Sequence, residues 1–330
     1  MRFLAILVIS AGLLYSGYWF IGASSVESGA GAAIEDLQAD NWRIDIADVN
    51  TRGFPSRFDT TLTDVNVTTP DGALTYRAPF LQALALSYAP NKVILAFANE
   101  QTVEIAGQSL GIMSEGLKAS AAVQASTSAA LEDITIESGP MTVVSDVGWD
   151  TALSSVLAAL RHVNGTDQTY DLYGDFKDIA LPRVVAEAIG EVTPLPGALQ
   201  SVRVDMRAEL TAPLDRFAFA QEGAAPVLPT SLLIRRMEAK WGASRVAAEG
   251  QMTFDSMGSA VGELNVTLVE WDSVIDALVR IGAIESDLAD TVRSVLSSMA
   301  QGETTLTIPV TFRNGQSFVG LIPIGPAPKL

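Results

Sequence analysis

The sequence predicts an α+β protein that is mainly antiparallel β, with two curved-sheet units, each packed on an amphipathic helix, behind an N-terminal transmembrane helix. Three observations lead there. Apolar and polar residues alternate with a period of two over most of the chain. A few stretches switch to helical spacing. Residues 3–22 carry no charge at all.

Composition bounds the rest. The chain has 330 residues, 48% hydrophobic and 18% charged, with a net charge of −17. It is too apolar for disorder and long enough for two core-bearing units. Such an acidic surface repels nucleic acid, and no window gathers enough Lys and Arg to reverse this locally. There is no cysteine and a single histidine, His162. Disulfides, thiolate metal sites, iron–sulfur clusters and cysteine nucleophiles are therefore excluded, and neither a cofactor nor a metal is expected.

Residues 3–22 read FLAILVISAGLLYSGYWFIG. A helix of ~20 residues spans the hydrocarbon core at ~1.5 Å per residue. Tyr15, Tyr18 and Trp19 gather at its far end, where aromatic rings favour the membrane interface. Arg2 precedes the run and Glu27, Glu35, Asp36 and Asp40 follow it, which puts the start in the cytoplasm and the rest outside. A cleaved signal, cut near Gly22-Ala23-Ser24, also fits. Segment 1–23 is thus an anchor or a signal, and either exports the remainder.

Residues 24–41 read as a linker or short helix. The first sheet unit then runs over 42–192. Ile44 and Ile46, then Phe58, Thr60 and Leu62, keep a period of two, and Pro70-Asp71-Gly72 is a turn. Leu84 and Leu86, Val93, Leu95 and Phe97, and Val103 and Ile105 extend the meander, with a turn at Pro90-Asn91. Over 149–163, Leu153, Val156, Leu157 and Leu160 take helical spacing, with Asp150 as N-cap. Residues 170–176 return to strand. Thr193-Pro194-Leu195-Pro196-Gly197 punctuates the chain and opens the second unit, 193–322. There Val202, Val204, Met206 and Ala208 alternate with Arg203, Asp205, Arg207 and Glu209, a half-buried strand with a charged outer face. Val274, Ile275, Leu278 and Ile281 predict a helix over 271–284 capped by Asp272. Leu288, Val292, Val295 and Leu296 predict another over 285–299, closed by Gly302. The two Trp-Asp starts, Trp149-Asp150 and Trp271-Asp272, look like an internal repeat. Asn314-Gly315 turns one strand into the next. Residues 323–330 form a Pro-rich extended tail.

Few residues carry chemistry. Gly107-Gln108-Ser109-Leu110-Gly111 fits the nucleophile elbow of serine hydrolases, which needs Ser on a turn between strand and helix. With Asp146 or Asp150 and His162, a triad order could be written. The following residues, however, have no helical apolar face, so Ser109 reads as a strand-turn serine. The acids, including Asp171 and Asp175, read as solvated edge residues. Phe54 and Phe58 flank a proline that cannot donate within a sheet. Together with Phe97, Trp149, Trp241 and Trp271 they are the candidates to line an apolar groove.

Residues 51–58 (TRGFPSRF), then Ala78-Pro79-Phe80 and 86–95 (LSYAPNKVIL), resemble the proteobacterial domain of unknown function 2125 family. The ending from Phe312 to Pro328 is similar to that family too. The resemblance implies a bacterial protein tethered to the inner membrane and facing the periplasm. It brings no catalytic residues. A looser similarity is to anchored β-groove proteins of the AsmA type, in which a curved sheet offers an apolar channel to lipid.

The expectation is a non-enzymatic, single-pass protein of the bacterial inner membrane with its folded part in the periplasm, or one released there after cleavage. It would bind an apolar ligand, a lipid or lipoprotein, in a sheet groove. The alternative is a scaffolding envelope protein that binds another protein, and a remote one is a serine hydrolase using Ser109.

Overall fold

The uncharged N-terminal run and the expected linker form one helix, α1 (Arg2–Ala39). No proline interrupts it. It ends where Asn41 takes a left-handed φ of 64° and the Trp42 N–H donates to the Leu37 carbonyl at 3.0 Å. The computed structural model describes residues 2–190, 193–218 and 226–330, leaving aside the side chains of Arg2, Leu4, Ala5, Val8 and Leu288. Among the described residues no helix is long and apolar enough to cross a membrane. Arg2, Leu4, Ala5 and Val8, at the start of the expected crossing segment, lie outside that description, as does Leu288 of the last helix.

Contacts divide the chain into two compact units, 1–125 with 136–148, and 126–135 with 149–330. The break falls earlier than the Thr193–Gly197 punctuation, because the strands on either side of that segment pair along their length.

In the first unit, β1 (Arg43–Asp45) and β2 (Asp48–Arg52) both pair with one edge of β3 (Arg57–Thr68). The other edge of β3 pairs with β4 (Leu74–Leu86). The sheet then forks. The second half of β4 pairs with β5 (Ala89–Phe97), and its first half with β6 (Glu100–Ile105). The fork opens at Ala78-Pro79-Phe80, where Pro79 has no N–H to give a ladder. β7 (Gln108–Ser114) pairs with β6, and β8 (Lys118–Val123) with β5. β9 (Leu131–Ser138) crosses the division, and β10 (Met141–Ser145) pairs with β7. The turn between β4 and β5 is Ser87-Tyr88 rather than the expected Pro90-Asn91, which lies inside β5.

The second unit starts with a correction. The expected helix over 149–163 is two strands, β11 (Asp150–Leu153) and β12 (Ser155–His162). Val156 and Leu160, four residues apart, share a strand face with Ala158 as readily as they share a helix face, and pairing with β13 (Thr169–Ala180) decides for strand. The Trp-Asp repeat falls with it, since Trp149-Asp150 opens a strand and Trp271-Asp272 a helix. After β13 come α2 (Arg183–Gly190), which sequence spacing did not suggest, and β14 (Ala198–Leu210), β15 (Pro229–Trp241), β16 (Ser244–Phe254) and β17 (Ala260–Val269). Next are α3 (Asp272–Arg280) and α4 (Ser286–Ala300), close to their expected bounds. Trp271, not Asp272, is the N-cap of α3. β18 (Thr305–Arg313), β19 (Gln316–Val319) and β20 (Ile322–Pro326) close the chain. The Asn314-Gly315 turn is as expected, with φ of 52° and 72°. The Pro-rich tail is not free. It pairs with β19, and Ala327 is buried.

From β12 to β20 each strand pairs antiparallel with the next. The register stacks apolar residues on one face: Leu160 opposite Leu172, Leu172 opposite Met206, Met206 opposite Ile234. On the other face Arg207 and Arg235 bind Asp171, Arg235 also binds Asp205, and Arg203 binds Asp175. The helices cover only part of the apolar face. Trp271, Ile275 and Ala289 pack on Leu306 and Ile308, and Ile189, Leu195 and Ala277 pack with Trp241.

Candidate functional site

Helix α1 is held by a stripe at helical spacing: Tyr15, Tyr18, Trp19, Gly22, Ala23 and Val26. Trp19 is 5% exposed, and its indole N–H donates to the Arg57 carbonyl at 2.8 Å. Phe58 and Ala23 complete the buried cluster, with Val26 against it. Gly22 lets the helix approach, since a Cβ there would stand 2.6 Å from the Phe58 ring. The Tyr18 hydroxyl donates to the Ser87 carbonyl at 2.7 Å, and the Tyr15 hydroxyl lies 3.1 Å from Ser87 Oγ. Further along, Glu27 accepts from the Thr51 N–H at 2.6 Å. The aromatic residues that the sequence assigned to the membrane interface are therefore the grip of the sheet on its helix. The stripe was present in the sequence, masked by a segment apolar on every side.

Above this grip the described side chains of the helix are open. Phe3, Ile6, Leu7, Ile9, Leu13 and Leu14 are all exposed. Beside it, Phe20 and Phe54 stack at 5.8 Å and 18°, and both are exposed. The Phe54-Pro55 peptide is cis.

Two further places offer apolar surface. The fork in the first sheet leaves a cleft of about 670 Å³ bordered by Pro79, Ile112, Met113 and Val144, with Asp64 and Arg77 at its polar side. Glu104 accepts two hydrogen bonds from Arg77 and holds its guanidinium pKa above the ordinary value. In the second unit the apolar face of β12–β16 is half-open. Leu160, Leu172, Val204 and Leu232 are half-buried, while Met237 and Val246 are 37% and 38% exposed.

The six aromatic candidates divide between the two units, three in each. Phe54 and Phe58 meet Trp19 in the first unit, whereas Phe97 ends β5, half-buried, opposite Leu81. In the second unit Trp149 is half-buried ahead of β11. Trp241 donates to the Pro196 carbonyl at 2.7 Å, and Trp271 is buried under α4. None of the six borders the fork cleft. Period-two spacing signalled β13 and β14 of the aliphatic surface of β12–β16, whereas β12 carried helical spacing.

Ser109 does not stand on a strand-to-helix turn. It is in β7, just after a tight Ala106-Gly107 hairpin, and its N–H donates to Asp146 at 3.0 Å. His162, in the other unit, packs edge-on against Tyr170 at 5.4 Å. Among the described residues no three His, Asp or Glu side chains gather to hold a metal.

Residues 19–328 match the model of a family described as an uncharacterized protein conserved in bacteria, domain of unknown function 2125. The chain belongs to this family. The match begins at Trp19, so it covers the part of the stripe from Trp19 to Val26 and leaves out Tyr15 and Tyr18. No curated protein and no solved structure matches the chain.

Proposed function

We propose that this family member is a membrane-attached envelope protein whose folded units face the periplasm and whose sheets hold an apolar ligand, a lipid or the acyl end of a lipoprotein, without covalent chemistry. The observation that carries the reading is the half-open aliphatic face of β12–β16, in which Met237 and Val246 stay more than a third exposed on an otherwise apolar sheet surface. Apolar surface left open on a folded unit marks a place where something binds. Attachment is supported by the exposed apolar residues that begin α1. A cleaved signal fits less well, because a cut near Ser24 would remove Trp19, Tyr18 and Tyr15 from the grip just described.

The test is lipid extraction from the purified full-length chain followed by mass spectrometry, against an unrelated acidic protein handled identically. Enriched lipid that is lost in a Met206→Asp, Met237→Asp double variant is expected. No lipid above the control overturns the reading.

A further inference from the structure

We infer that the two turns gripping α1 form a membrane seat, in which Phe54 and Tyr88 sit in the headgroup layer of a phosphatidylcholine-like bilayer surface and fix the tilt of the first unit. The inference rests on the attachment proposed above and names the surface that completes it.

Phe54 lies in the turn between β2 and β3, and Tyr88 in the turn between β4 and β5. They are 51% and 71% exposed. The turns are tied together, since the Ser87 N–H donates to the Ser56 carbonyl at 3.0 Å. Both are tied to α1 at one level, through Trp19 to Arg57 and through Tyr15 and Tyr18 to Ser87. Phe20 extends the same rim and stacks on Phe54. The rim is therefore continuous with the exposed apolar start of the helix. Whatever environment takes Phe3 to Leu14 meets Phe54 and Tyr88 next.

The chemistry fits a lipid headgroup layer better than a protein partner. Aromatic rings with one wet edge are favoured at that depth. Arg52 and Arg57 flank Phe54 and are both exposed; through Nε, Arg52 donates to Asn50 at 2.8 Å and Arg57 pairs with Asp59 at 3.0 Å. Exposed guanidiniums there can meet lipid phosphates while the bulk of the acidic surface stays away.

The chain has no cysteine, so Phe54→Cys and Tyr88→Cys each provide a unique thiol for an environment-sensitive bimane label. Ala73→Cys is the control. It lies in the turn at the opposite end of the β3–β4 hairpin, roughly 35 Å away at ~3.3 Å per residue. The full-length labelled chains are mixed with phosphatidylcholine vesicles carrying acyl-chain bromines, and flotation is scored together with quenching. Flotation with roughly twofold or greater quenching at 54 and 88 relative to 73 is expected, as for rings held at the boundary of headgroup and acyl region. Flotation with equal quenching at all three positions overturns the seat and leaves attachment standing. Absence of flotation overturns the attachment and the seat with it.

Discussion

Trp19 combines three kinds of contact that are usually spread over several side chains. It fills space against Phe58, meets Phe54 edge-on at 5.5 Å, and satisfies the Arg57 carbonyl. Truncating a buried ring of this size costs about 3–5 kcal/mol, and losing one neutral hydrogen bond about 1 kcal/mol. Trp19→Ala is therefore expected to lower the urea midpoint of the first unit strongly, and Trp19→Phe only slightly. Equal loss in the two variants would mean that the indole N–H, not the packing, holds the helix. Asp171 makes a different prediction. Hydrogen bonds from Arg207 and from Arg235 lower its carboxyl pKa to about 2. A carboxyl lowered on folding adds stability above its unfolded value, ~4, and loses it as pH falls toward 2. Since the group is partly in water, about 1 kcal/mol is at stake. Asp171→Asn should be less stable than the parent at pH 7 and converge with it as pH falls through about 2, as read by denaturant midpoints. At this scale the sequence was uneven as a guide. The alternation of Arg203, Asp205 and Arg207 announced a charged face, but nothing in it said that Arg235, from a bulge in the neighbouring strand, would join Asp171.

At the scale of elements, strands with clean alternation were legible and those with consecutive apolar residues were not. Val156-Leu157 satisfies helical spacing, and only the partner strand β13 settles it, a tertiary fact that a local window does not contain. The reverse holds for α1. Its apolar character was plain, while its packing against the sheet was hidden. A chain starting at Ser24 tests that role directly. It keeps every strand but loses Trp19 and the bonds to Ser87, so amide exchange in β3 and β4 should quicken several-fold while that in β14–β17 is unchanged. Uniform protection in both chains would show that the helix only rests on the sheet. The β16–β17 pair carries its own prediction. Gly250 and Gly262 have φ of 146° and 151°, and a Cβ on either would fall 2.3 Å from a carbonyl oxygen of the facing strand. Backbone cannot yield as a side-chain tip does, so Gly262→Ala should cost more than about 2 kcal/mol in thermal or urea unfolding.

On the scale of the whole molecule, charge and apolar surface pull in opposite directions. A net charge of −17 repels anionic lipid at long range, while on the proposed attachment the exposed start of α1 and its aromatic rim would be attracted at contact. The balance depends on the lipid and on salt. Association with phosphatidylcholine vesicles should exceed association with phosphatidylglycerol vesicles of equal size. The gap should close as salt rises from about 0.05 M to about 0.5 M, because the Debye length shrinks from over 10 Å to a few ångström and only contact terms survive. A basic surface protein would behave in the opposite way, losing its anionic-lipid preference with salt. Co-sedimentation across both lipids and both salts separates the two cases. Binding that prefers phosphatidylglycerol at low salt would place the membrane contact on basic side chains elsewhere rather than on the helix and the rings beside it.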